Sequence, residues 1–140
     1  MRTTIVDPLI SVIIPVFNGM QHLYEALASV MQQDYSAYEL IVVDDGSLDQ
    51  SSTEASKAGA TVLRHPYNIG NGAAVKRGIR QASGDVVVLM DGDGQHDAAD
   101  IPRLLEHSRI YDMVVGARSS ESKSQLHRLL ANKLYNGLAS

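Results

Sequence analysis

Cysteine is absent from this 140-residue chain. That one gap removes disulfides, thiolate metal sites and a cysteine nucleophile together, and it fits a reducing compartment. Long apolar runs are missing too: the stretches around residues 9–17 and 86–90 are far too short to span a bilayer. The amino terminus has no basic segment leading into an apolar signal core. The cytoplasm is therefore the expected location. Neither a Walker sequence with its Lys-Ser/Thr pair nor a nucleophile elbow occurs anywhere, so a P-loop and an elbow-borne serine are both excluded.

Charge is short of one sign over most of the chain. Residues 1–116 hold 8 Lys and Arg against 15 Asp and Glu, whereas residues 117–140 hold 4 against 1, for a net charge of −4. An acidic body argues against nucleic acid as the main ligand, because phosphate backbones are bound by basic stripes. The basic tail needs a partner of its own.

What is present is an alternation of apolar runs and amphipathic stretches. Leu9–Val16 reads as a buried strand, and Gln21–Gln33 as a helix with Leu23, Leu27, Val30 and Met31 inward. Leu40–Val43 and Thr61–Leu63 read as strands, with a short polar helix over Asp49–Lys57 between them. A helix over Ala73–Gln81 and a strand over Asp85–Met90 follow. Asp97 is placed as the N-cap of a helix that buries Ile101, Leu104 and Leu105. Met113–Val115 gives a fifth strand, Ser119–Ser124 a Ser-rich loop and Gln125–Leu138 a last helix. This order specifies an α/β fold, a doubly wound and mostly parallel sheet that takes its ligands at the carboxyl edge. With 44% apolar residues, the chain can bury the core of one domain.

Three strand ends carry polar clusters on that edge: Pro15 to Asn18, Asp44-Asp45-Gly46-Ser47, and Asp91-Gly92-Asp93. Turns on the opposite edge would serve folding equally well, so the concentration points to one site. In the last cluster an apolar run, expected to be buried on both faces, opens directly into two carboxylates. Two hard oxygen ligands leave a Mg2+ or Mn2+ shell open to water and substrate phosphates, which makes a diphosphate the expected ligand. An EF-hand is excluded, since its loop Gly would fall at His96 and its Glu at Pro102. His96 reads as a solvated neighbour of the acidic loop, and His22, His65, His107 and His127 show no ligand spacing.

Asp44 to Ser47 also suits a plain turn, but a carboxylate after a strand can accept hydrogen bonds from a base or ribose. Asn68-Ile69-Gly70-Asn71-Gly72 is followed by Val75 where a dinucleotide fingerprint needs a small residue, which argues against a Rossmann NAD site. Its glycines let backbone approach a ligand closely, and Lys76 offers a cation nearby.

Taken together, Ser11 to Asn18, Val42 to Ser47, Asn68 to Gly78, Asp91 to His96 and Asp100 to Leu105 resemble, in order, the motifs of a family 2 glycosyltransferase of the GT-A fold. The polyprenyl-phosphate and dolichyl-phosphate hexosyltransferase branch is the most similar. The resemblance implies a metal-dependent, inverting transfer of a hexose from a UDP- or GDP-linked donor to polyprenyl phosphate. It implies that Pro15, Phe17 and Asp44 or Asp45 line the nucleotide pocket, and Asn18, Ser47, Asn68, Gly70, Gly72 and Lys76 are expected to serve the nucleotide beside them. Asp91 and Asp93 would be catalytic through the metal, with Gln95 assisting, and Arg118, Arg128 and Asn132 would face the acceptor phosphate.

Departures from the family pattern are Gly19, where many relatives carry Glu; Asn71, in place of a basic residue; and Asn132, in place of Ser. On this reading residues 1–8 are an extension, 9–118 the nucleotide-sugar binding domain, and 119–140 a loop and basic amphipathic helix. That helix would begin the acceptor side, and the family's catalytic domain would run on past Ser140. After Asp112 the only carboxylate is Glu121, in the expected loop, which favours a phosphate acceptor that needs no general base. Packing against the domain and peripheral contact with the cytoplasmic face of a membrane are both open to the basic helix. The rival functions are a nucleotide-sugar binding fragment without transfer and, less favoured, a nucleotidyltransferase, which would need a Gly-rich, basic loop after the first strand.

Overall fold

The computed structural model describes residues 8–93 and 95–116. An unbroken apolar run makes β1 (Ile10–Val16), in which only Pro15 is not fully buried. In α1 (Met20–Met31) the stripe Leu23, Ala26, Leu27 and Val30 is buried. Met31, expected inward, is 52% exposed. Ala26 draws the centre of the stripe away from it, leaving Met31 about 90° off that centre at 100° per residue.

The chain continues through β2 (Tyr38–Asp44), α2 (Ser51–Lys57), β3 (Thr61–Arg64), α3 (Asn71–Gln81) and β4 (Val86–Leu89). A 3₁₀ turn at Ala98–Asp100 then leads into α4 (Ile101–Ser108). Asp97 caps that turn as expected, its carboxylate accepting the Ala99 amide at 2.9 Å. Met113–Val115 is not a strand: its backbone is irregular, and Met113 and Val115 are 81% and 75% exposed. Three apolar residues supply strand propensity, but propensity without a pairing partner does not make a strand.

The four strands are parallel in the order β3-β2-β1-β4. Ile13 stands level with Ile41 on one side and Leu89 on the other. Ile13, Ile41 and Val43 form a core with Ala74 of α3, backed by Leu63 and Ala82. α3 can lie this close because of Gly78, where a Cβ would stand 2.4 Å from the Ile13 side chain.

Strand order reverses between β1 and β4. In open α/β sheets the crevice outside the carboxyl ends at such a reversal is where ligands bind. β4 departs from the expectation of burial on both faces: it pairs with β1 alone among the described residues, and Val87 and Leu89 are 38% and 48% exposed. A short apolar run does not distinguish an edge strand from a central one.

The chain separates into two compact units, with the division at Ile101 and Pro102. The sheet and every loop at its carboxyl edge belong to the first. The boundary expected at residues 118 and 119 lies outside the described residues, as do the loop at 119–124 and the helix at 125–138. No helix among the described residues is long and apolar enough to cross a membrane.

Candidate active site at the carboxyl edge

The loops leaving β1 and β2 are bonded into one platform. The Asp45 amide donates to the Val16 carbonyl at 2.8 Å. Asn18 adopts a left-handed φ of 49°, which Asn tolerates better than most residues. There its amide donates to the Ser47 hydroxyl at 2.9 Å, and its Oδ1 accepts the Leu48 amide at 2.8 Å. Asp49 completes the tie by accepting the Met20 amide at the start of α1 and the Ser51 amide at the start of α2, at 3.1 and 3.0 Å.

The two adjacent carboxylates at the end of β2, Asp44 and Asp45, do different work. Asp44 is fully buried and accepts the Ser47 amide at 2.8 Å and the Ser52 hydroxyl, with the Arg64 guanidinium 3.7 Å away. Those bonds hold the turn and α2. Asp45 is 3% exposed and accepts the Ile69 and Gly70 amides at 3.0 and 2.7 Å and His65 Nδ1 at 2.6 Å. Burial raises its pKa, but the hydrogen bonds from His65 and the two amides outweigh burial and hold the carboxyl below the usual Asp value.

Asp45 thereby draws the Asn68–Gly70 segment over the sheet edge. Gly46 makes room for it: with φ at +80°, a Cβ there would stand 2.4 Å from the Tyr67 carbonyl carbon. The result is a cleft of about 320 Å³ lined by Pro15, Val16, Phe17, Asp45, Asn68, Gly70, Asn71 and Ala74. Five residues singled out in the sequence for a nucleotide meet in it: Pro15, Phe17, Asp45, Asn68 and Gly70. Asn18, Asp44 and Ser47 stand in the platform, while Gly72 and Lys76 lie exposed on α3. None of these five lines the cleft.

Asp91 and Asp93 follow β4, next to the end of β1. The link between them is Gly92, where a Cβ would lie 3.1 Å from Ile14 and 3.3 Å from the Pro15 carbonyl oxygen. The absence of a side chain lets this turn lie across the end of β1. Gly19, the departure from the family's Glu, is tighter still, since a Cβ there would meet the Val16 side chain at 2.8 Å.

The Asp91 side chain is half exposed, Asp93 is exposed, and Asp93 Oδ1 accepts the Gln95 amide at 2.9 Å. His96 is more than a solvated neighbour. Its Nδ1 accepts the Asp91 amide at 3.1 Å, and its Nε2 lies 3.8 Å from Asp91 Oδ2. Among the described residues no third His, Asp or Glu completes a metal-holding group. Two accessible carboxylates form a hard-oxygen set that fits Mg2+ or Mn2+ with positions left for water and phosphate.

Arg118, Arg128 and Asn132 lie outside the described residues. Sequence reasoning passed over His65 and Asp49. The signal for His65 lies in the strand register and not in the sequence: Asp44 pairs with Arg64, and the residues that follow them, Asp45 and His65, are hydrogen-bonded. Asp49 carries the signature of an Asp two residues before a helical Ser.

Residues 11–137 match the glycosyl transferase family 2 model. The chain belongs to that family. A similar relative is the undecaprenyl-phosphate 4-deoxy-4-formamido-L-arabinose transferase of Pectobacterium carotovorum, 35% identical over 91% of this chain and 42% of its own length. This chain thus spans about two fifths of that relative.

Among solved structures it is similar to glucosyl-3-phosphoglycerate synthase from Mycobacterium tuberculosis with Mn2+, UDP and glucosyl-3-phosphoglycerate. The TM-score is 0.63 and the identity 30%, over 73% of this chain and 40% of that one. A mannosyltransferase from Pyrobaculum calidifontis bound to GDP-Man and Mn2+ matches with a TM-score of 0.60 and 26% identity, over 64% of this chain and 28% of that one. The fold is of the GT-A glycosyltransferase type, as the motifs implied.

Proposed function

We propose that this protein takes part in moving a hexose from a nucleoside-diphosphate sugar to polyprenyl phosphate, with inversion at the anomeric carbon. The observation that carries the reading is the placement of Asp91 and Asp93 beside the end of β1, where the strand order reverses and where Pro15 and Phe17 border the cleft. Pro15, Phe17, Asp45, Asn68 and Gly70 would receive the nucleoside. Asp91 and Asp93 would hold Mg2+ or Mn2+, whose charge stabilises the departing diphosphate. Asn18, Ser47 and Asp44 would keep the platform rigid, with Gly72 and Lys76 near the phosphates and Gln95 assisting at the metal.

Support for the acceptor comes from the undecaprenyl-phosphate relative and from the placement of basic residues in the sequence. A phosphate is already anionic and attacks without a base. Arg118, Arg128 and Asn132 would orient it, which would bring the protein to the cytoplasmic face of a membrane.

The cleft-lining residues all lie between Pro15 and Ala74, which favours a second reading for the 140-residue chain by itself: donor binding without transfer. Calorimetry with UDP and GDP in the presence of Mn2+ tests the donor site. The double substitution Asp91→Asn, Asp93→Asn should abolish metal-dependent binding with little change in Tm, since both side chains are accessible. Equal binding by the double variant would remove the metal site from these residues.

A further inference from the structure

We propose that His65 is a positioning residue for the donor site: its Nδ1–H orients Asp45 so that this carboxylate fixes the Asn68–Gly70 wall of the cleft. The inference rests on the nucleotide reading of the cleft. His65 itself does not line it. The residue is 6% exposed, lies one position past β3, and is tied at both ends to the end of β2. Its amide donates to the Asp44 carbonyl at 2.8 Å and its ring meets Asp45 Oδ1 at 2.6 Å.

The proton's place follows from the partner. Asp45 also accepts two backbone amides, and its carboxyl is held below the usual Asp value, so it is ionised and can only accept. His65 therefore donates from Nδ1. That donor settles the rotation of the carboxylate, because Oδ1 is shared between His65 and Ile69 while Oδ2 is left to Gly70. Without it, the carboxylate keeps two amides from a segment that is otherwise exposed over Pro66 to Ile69. Gly70 has a φ of +113°, which glycine adopts without strain, so its backbone is not locked by sterics and the hydrogen bond from its amide to Asp45 is what holds it.

A merely structural histidine would be replaceable by any side chain that fills its space. A positioning histidine needs the donor. Asn places an amide N–H near the position of Nδ1, whereas Leu fills the space with no donor. The experiment compares the 140-residue chain with His65→Leu and His65→Asn by hydrogen exchange and by calorimetry with UDP–Mn2+ and GDP–Mn2+. In His65→Leu the Ile69 and Gly70 amides should exchange about tenfold faster than in the parent, with β1 unchanged, and nucleotide affinity should fall about tenfold. In His65→Asn both should recover to within about threefold.

Mn2+ binding alone should be the same in all three. Should His65→Leu fail to fold, His65→Gln takes its place; its amide sits one methylene further out and should give the same losses. Unchanged exchange at Ile69 and Gly70, or faster exchange with unchanged nucleotide affinity, overturns the proposal. Failure of the parent chain to bind either nucleotide would sink the donor reading instead, and the exchange comparison would still decide whether His65 fixes the wall.

Discussion

The Met20 amide, at the first position of α1, donates to the Asp49 carboxylate at 3.1 Å across 29 residues of sequence. A helix opening with Gly19 has no side-chain cap of its own, so a carboxylate from the β2–α2 loop supplies the missing acceptor. The same carboxylate accepts the Ser51 amide and hydroxyl. Two helix starts therefore share one group.

Asp49→Ala should cost about 1–2 kcal/mol, the range for loss of a good cap with its hydrogen bonds. Urea denaturation of the 140-residue chain measures it. Asp49→Asn, which keeps an acceptor oxygen, should lose less; equal losses in both would mean that charge and not the cap carries the effect.

Acid should loosen the fold in a definite direction. Glu39 lies below its ordinary value of 4.5 chiefly because the Ser11 hydroxyl and then the Ser83 amide donate to it. Asp45 and Asp49 lie below 3.8, burial raising each and their hydrogen bonds more than offsetting it. With folded values lowered, the unfolded chain binds more protons in acid. The contribution is fully present above the ordinary carboxylate values and is lost as pH falls through the lowered ones. Urea midpoints should be flat from about pH 7 to about pH 5 and fall below about pH 4. Glu39→Gln should make that fall shallower, and an identical acid profile would show that Glu39 contributes nothing to it.

Two glycines with the same φ of +80° should respond very differently to Ala. At Gly46 a Cβ would strike the backbone of Tyr67 and Asn68, at 2.4 to 2.8 Å, whereas at Gly59 nothing lies within 4 Å. Gly59→Ala should cost about 1–2 kcal/mol, the strain of the left-handed backbone alone. Gly46→Ala adds displacement of the cleft wall and should exceed about 3 kcal/mol. Thermal melts of both variants check the contrast.

Arg118 and Arg128 are expected to meet a lipid-linked phosphate. Flotation with anionic vesicles should show binding at low salt that weakens with salt and with replacement of both arginines, each charge contributing roughly 1 kcal/mol. Folded protein that stays unbound at low salt would overturn the membrane reading of the basic residues 118–133.

The strands were legible because apolar runs such as Ile10–Val16 and Leu40–Val43 admit few other readings, and their alternation with helices gave the parallel order. Met113–Val115 misled for the same reason: a run of three carries propensity but no information about a partner. At the site, Asp45 and Asn68 could be nominated from residue type. Which of Asp44 and Asp45 would reach the cleft could not, because neighbours in a chain diverge according to turn geometry set by Gly46. The bond from His65 depends on the register of β3 against β2, and composition does not encode register.

The ionised carboxylate of Asp45, buried in the lining of the cleft, gives that cleft a polarity. A group that reaches it must bring a proton to share, as an imide, an amine or a ribose hydroxyl does, and a phosphate oxygen is turned away by charge. On the proposed donor reading, a nucleotide would lie there in one direction only, its hydrogen-bond donors toward Asp45 and its phosphates away from it, before any contact with its sugar had been made.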